Sequence, residues 1–169
     1  EADVPQEDGS TKKMIVDRDQ GIRPESTMET LAKLEPVFIK DEQGTVTAGN
    51  SSQTNDAAAC LIVASKKICK KLGLQPKMRL VEFAVVGVDP AYMGIGPAVA
   101  IPKVLKKAKM KKEDIGLWEV NEAFASQAVY CTKELGIRHH KMLNPQGSGI
   151  SLGHPLGCTG ARIATTIMH

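Results

Sequence analysis

The chain has 169 residues, 42% of them hydrophobic and 24% charged, a balance that argues against disorder and against a membrane span. Its 22 basic and 19 acidic side chains leave a net charge of +3, too mild to imply nucleic acid, and an aromatic share of 4% does not furnish the stacking platforms of a single-strand binder. Cys60, Cys69, Cys131 and Cys158 form no Cys-x-x-Cys pair and lack histidines at ligand spacing, which argues against a metal site or a small disulfide scaffold and predicts reduced thiols in an intracellular compartment.

Residues 1–56 are polar and irregular, with turn signals at Asp8-Gly9 and at Asp41–Gly44. Gly21-Ile22-Arg23-Pro24 predicts an extended or turn segment, because a residue before proline avoids the helical well. Met28, Leu31 and Leu34 recur at helical spacing and predict one short amphipathic helix ending before Pro36. The texture then changes. Ala57–Ala64 is a run without a polar side chain, the mark of a strand buried on both faces, and it places Cys60 in the core. Ser65 offers an N-cap for a helix over Lys66–Leu72, and Gly73 supplies the left-handed residue that ends it. Met78–Val88 returns as a strand rich in branched residues, so the stretch reads as a βαβ unit with parallel strands.

A second cycle follows. Ala91–Ala100 is loop-like, and Pro102 suits the first turn of a helix running to about Lys109. Leu117–Val120 predicts a short strand, Ala123–Leu135 a helix closed by Gly136, and Asn144–Gly153 a glycine-rich turn region. A last helix starts near Pro155 or Gly157. Buried strands alternating with helices predict an α/β layered fold. No leader opens the chain at Glu1 and no cap closes the helix at His169, so both ends look cut from a larger polypeptide.

Three segments could carry chemistry, all at strand-to-helix transitions, where ligands collect in parallel α/β sheets. They are Gly49–Asp56, Asn121–Phe124 and Asn144–Arg162. His154 lies between Gly153 and Pro155 ahead of a helix, whose positive end disfavours an imidazolium and leaves the ring able to accept a proton. A histidine packed at a turn is the plainer alternative. Asn121 can orient a water or a carbonyl, or simply cap the next helix, and Glu122 can cap or pair with a base. Cys158 follows His154 by four residues, but Pro155 and Gly157 break the helical geometry a Cys–His dyad would need. Gly94-Ile95-Gly96-Pro97-Ala98-Val99 imitates a dinucleotide fingerprint with Val at its third glycine. No acidic residue follows Glu134 to hold a ribose behind the looser Gly147–Gly153 pattern. The lysines at 66–67, 70–71, 103–107 and 109–112 are either solvated helix faces or an aid to a phosphate-rich ligand such as coenzyme A.

Taken together, GNSSQTNDAAA, GVDPAYMGIGP, NEAFASQ and NPQGSGISLGHPLGCTGAR resemble the thiolases in order and spacing, and with GIRPESTMETLAKLEPVF the likeness is to 3-ketoacyl-CoA thiolases of the peroxisomal type. The resemblance implies a layered αβαβα fold, with residues 1–50 the end of a loop domain and 51–169 a C-terminal half-domain truncated before its last strands. It implies a homodimer or tetramer, coenzyme A as substrate with no permanently bound cofactor, and a peroxisomal, mitochondrial or cytoplasmic setting. The implied reaction is cleavage of a 3-ketoacyl-CoA by CoA to acetyl-CoA and a shortened acyl-CoA. In that reaction His154 activates a cysteine thiolate and donates to a thioester oxyanion, while Asn121 holds the water that completes the oxyanion site. Ser52 and Met93 line the pantetheine tunnel and Phe124 walls the pocket. Both cysteines of the family reaction lie outside the matched motifs, so the 169 residues alone are expected to be inactive. Ser148 stands where the family has a second glycine, and if that position needs a positive φ the loop before His154 is strained. Rival readings are a non-catalytic acyl-CoA- or lipid-binding or assembly fragment and a dinucleotide oxidoreductase.

Overall fold

A computed structural model describes residues 1–19 and 21–169, and the chain divides into two units, Glu1–Lys33 and Leu34–His169. In the first unit, β1 (Ala2–Pro5) pairs antiparallel with β2 (Thr11–Met14), Ala2 opposite Met14 and Pro5 opposite Thr11. Gly9 at φ 80° makes the reversal, and the Asp8 carboxylate accepts from both the backbone N–H and the hydroxyl of Ser10. Those two bonds hold the Asp8 pKa below its ordinary value, the hydroxyl contributing most. The irregular reading of this stretch missed the hairpin, although its turn signal was visible. The short helix is present as α1 (Met28–Leu31), capped reciprocally by Thr27 and Thr30.

In the second unit, α2 (Lys66–Leu72) matches the expected helix at both ends. Ser65 Oγ accepts from Ile68 N at 3.3 Å, and Gly73 sits at φ 64° with Leu74 N returning to the Cys69 carbonyl. The strands expected on either side of it do not form. Residues 57–64 and 78–88 have no assigned ladder, Ile62 is 92% exposed, and Cys60 is exposed rather than in the core. A parallel strand exists only through its neighbours, and none of the described residues pairs with either run. Lysines serve some of the idle carbonyls instead. Lys103 Nζ donates to Val85 O at 2.8 Å, and Lys107 Nζ donates to Phe83 O and to Glu82. The Lys107 contact holds the Glu82 carboxyl below its usual pKa.

Those lysines belong to α3 (Gly96–Ala108), which begins earlier than expected. Pro97, not Pro102, takes the N-terminal proline position, a 3₁₀ turn over Pro90–Ile95 precedes it, and Pro102 lies inside the helix. Next, α4 (Ala125–Glu134) ends before Gly136 at φ 67°, α5 (Gly149–Leu152) is one turn, and α6 spans Thr159–Met168. The expected strand at Leu117–Val120 is reduced to a parallel bridge between Trp118 and Leu143. Trp118, Val120 and Ile137 form the buried core there, packed by Ile101, Leu105, Ile115, Leu135 and Leu143. The result is a mixed α/β arrangement with a small buried core around Trp118, Val120 and Ile137. Among the described residues no helix is long and apolar enough to cross a membrane.

Candidate active site

Segment 118–122 is held along one side by the loop that follows α4. Trp118 N donates to Met142 O and Asn144 N donates to Trp118 O, both at 2.8 Å. Asn144, in the left-handed conformation at φ 47°, then turns its side chain back onto the segment. Its Oδ1 accepts from Val120 N and its Nδ2 donates to Val120 O, each at 2.8 Å, with a further 3.1 Å contact to Glu122 Oε1. Ser148, fully buried, continues the attachment by accepting from Glu122 N at 3.1 Å and donating to Val120 O at 3.3 Å.

This corrects the expectation about Ser148. Its φ is −146°, extended backbone open to any residue, and the positive values fall on Gly147 (86°) and Gly153 (94°). The glycine that the packing requires is Gly149, where an added Cβ would lie 2.5 Å from the Glu122 carbonyl oxygen and 3.0 Å from Asn121 Oδ1. The first turn of α5 therefore rests directly on the backbone that presents Asn121.

Asn121 and His154, 33 residues apart, meet at this point: Asn121 Nδ2 is 3.2 Å from His154 Nδ1. The capping alternative for Asn121 is not what the structure shows, because α4 starts after Phe124, which has no side-chain cap, and Gln127 Oε1 reaches back to Ala123 N. His154 lies in the link between α5 and α6, half-buried, with Nδ1 also 2.8 Å from Thr159 Oγ1. Both contacts use Nδ1. Among the described residues Nε2 has no hydrogen-bond partner, so it is the nitrogen free to meet a reactant. Asn121 Oδ1 is likewise buried without a partner.

The remaining candidates divide. Ser52 N donates to Ala123 O at 2.9 Å, and Ser51 bridges Phe124, so Ser52 and Phe124 lie on backbone continuous with Asn121. The Phe124 ring meets Phe38 edge-on at 5.8 Å. Met93 is 68% exposed on its 3₁₀ turn, which is fastened to α4 by Cys131 Sγ donating to Gly94 O at 3.3 Å. Cys158 occupies the N-cap position of α6 with no side-chain cap bond and none to His154 among the described residues. An open groove of about 400 Å³ runs between Asn55–Ala59 and Pro155–Cys158, the segment that follows His154 in the chain, and Asn55 packs against Gly153 where any Cβ would collide. Among the described residues no cluster of His, Cys, Asp and Glu could hold a metal ion.

Sequence reasoning passed over Asn144, Thr159 and Asn55. All three sit inside the motifs already singled out, but Asn144 and Asn55 act on backbone far along the chain, and Thr159 on a ring five residues back. Glu119, next to Trp118, has its pKa raised above 4.5, chiefly by burial and partly by Glu122, with Arg162 opposing the shift.

Comparison with known proteins places these features in a lineage. A family model for "Thiolase, C-terminal domain" matches residues 74–169, and one for "Thiolase, N-terminal domain" matches residues 3–67. The rat protein "3-ketoacyl-CoA thiolase B, peroxisomal" is 52% identical over 161 residues, covering 95% of this chain and 37% of the rat protein. The crystal structure of the Bacillus anthracis acetyl-CoA acetyltransferase superposes with a TM-score of 0.82 at 47% identity, over 95% of this chain and 38% of that one. The dimeric peroxisomal thiolase of Saccharomyces cerevisiae gives 0.76 at 43% identity, over 99% and 41%. The chain thus spans well under half the length of the proteins it matches.

Proposed function

The chain belongs to the thiolase family, and from that premise we propose that it forms part of an enzyme that cleaves 3-ketoacyl-CoA with CoA, giving acetyl-CoA and an acyl-CoA two carbons shorter. The observation that carries the proposal is the 3.2 Å approach of Asn121 to His154, with Nε2 left open. An imidazole tethered through one nitrogen presents the other in a fixed direction, as a base for a thiol and then as a donor to an oxygen that gains charge.

In the proposed reaction His154 Nε2 takes the proton of a cysteine thiol, and the thiolate adds to the 3-keto carbon. The C2–C3 bond breaks, acetyl-CoA departs as its enolate and is protonated, and the acyl group stays on sulfur. A second CoA thiol then takes the acyl group and returns the cysteine. Nε2–H and a water on Asn121 steady the oxyanion of the thioester, each donor worth about 3 kcal/mol at the transition state. Among the described residues none of the four cysteines is hydrogen-bonded to His154, and this reading takes the sulfur from thiolase sequence beyond the 37% of the rat relative that the chain covers. The 169 residues alone are therefore inactive under this reading.

The groove between Asn55–Ala59 and Pro155–Cys158 supports coenzyme A as a substrate. Ser52, Met93 and Phe124, which lie outside its lining, are assigned to the thioester by the family resemblance alone. Residues 1–50 serve as the end of a loop domain and 51–169 as a half-domain. A homodimer and a peroxisomal setting follow the named relatives. Replacement of His154 by Ala in the full-length protein tests the proposal. Thiolysis should fall by about 10²–10⁴-fold while the thermal unfolding curve is retained; turnover close to normal in that variant would remove His154 from the mechanism.

A further inference from the structure

We propose that Thr159 is the positioning residue that fixes which nitrogen of His154 carries the proton. The proposal rests on the catalytic reading of His154. Thr159 is 5% exposed, at the first position of α6, and its hydroxyl donates to the Pro155 carbonyl at 3.1 Å. A hydroxyl has one proton to give. In this proposal that proton stays on Pro155 O, which also accepts from Cys158 N at 2.8 Å and Thr159 N at 2.9 Å. Oγ1 then turns a lone pair toward His154 Nδ1 at 2.8 Å, and the matching ring form is the one protonated at Nδ1. That form leaves Nε2 as the bare lone pair, the state a base for a thiol requires.

Asn121 accommodates the same tautomer. An amide turned end for end fills the same space. In that orientation its oxygen, otherwise buried without a partner, shares the one Nδ1–H with Thr159 Oγ1, as the longer arm of a three-centre bond at 3.2 Å. Its NH₂ group then takes the buried place the oxygen held, against Gly149. One proton choice at Thr159 thereby sets the ring form of the base, and Asn121 can adopt the orientation that fits it. A threonine bonded to the carbonyl four residues back is also an ordinary helix feature, and this is the plain alternative.

The two are separated in the full-length protein by Thr159→Val, which keeps the shape and removes the hydroxyl, and Thr159→Ser, which keeps the hydroxyl. T159V should lower kcat by about 10–100-fold with KM for the acyl thioester little changed, and shift the acid limb of the kcat–pH profile. T159S should restore most of the rate. Nitrogen-15 shifts of the His154 ring should show Nδ1 protonated in the native protein and in T159S, and a mixture of tautomers in T159V. Native kcat and unchanged ring shifts in T159V overturn the role of Thr159 while leaving His154 catalytic. An active His154→Ala protein overturns the catalytic reading, and the ring shifts still decide the tautomer. If T159V fails to fold, a native ring unprotonated at Nδ1 overturns the proposal by itself.

Discussion

Residues 57–88 and residues 118–159 lie in the same unit and both carry large apolar side chains, yet their fates differ. Ile62 and Val63 are 92% and 86% exposed, while Trp118 and Val120 are 7% and 4%. The second region finds its partners within about thirty residues, in the loop Met142–Ser148 and the start of α5. The runs 57–64 and 78–88 of the first find among the described residues only the lysines of α3 for their carbonyls. An apolar run states that a segment belongs inside something. It does not state what covers it, and for a parallel strand the cover comes from distant sequence.

The contrast can be strained by substitution. The largest effect is expected at Gly149, where Val would drive atoms into the Glu122 carbonyl and cost about 3 kcal/mol in urea unfolding. A near-native midpoint would show that α5 does not rest on segment 118–122. Ser148→Ala removes a buried partner from Glu122 N and Val120 O, with an expected loss of about 2 kcal/mol by the same measurement. Ser65→Ala removes a cap in the looser region and should cost about 1 kcal/mol, visible as helix fraying in amide exchange over Lys66–Cys69.

Glu119 sharpens the comparison by pH. Its raised pKa means that the folded state holds the proton more tightly than the unfolded one, so its contribution is full below 4.5 and is lost as pH rises through the higher folded value. Glu119→Gln should flatten that part of the stability–pH curve, and an unchanged slope would dissociate the carboxyl from it. The smallest effect belongs to Ile62→Lys, which should shift the unfolding of this chain by less than about 0.5 kcal/mol. A cost above about 2 kcal/mol would mean that the run is covered after all.

What was legible in the sequence follows the range of the interactions. Ser65, Lys66–Leu72 and Gly73 form a self-contained unit, so cap, helix and stop were all readable. Asn121 and His154 were found through motifs, and the structure brings them together, although their spacing of 33 residues says nothing of a 3.2 Å contact. The strands at 57–64 and 78–88 were misplaced because branched residues signal a demand for neighbours and not their presence. The start of α3 was misread at Pro102 because Pro97 offers the same signal five residues earlier. Asn144 and Thr159 escaped notice because both act through small polar groups that any turn or helix start also favours.

The amide of Asn144 has a consequence for how the molecule keeps to itself. It engages the N–H and the C=O of Val120 much as a flanking peptide unit would. With Trp118 and Glu122 occupied on the same side, that margin offers a foreign polypeptide no row of idle donors and acceptors to zip onto. A side chain has been spent as a full stop, and the margin beside the proposed reaction centre is closed to accidental growth.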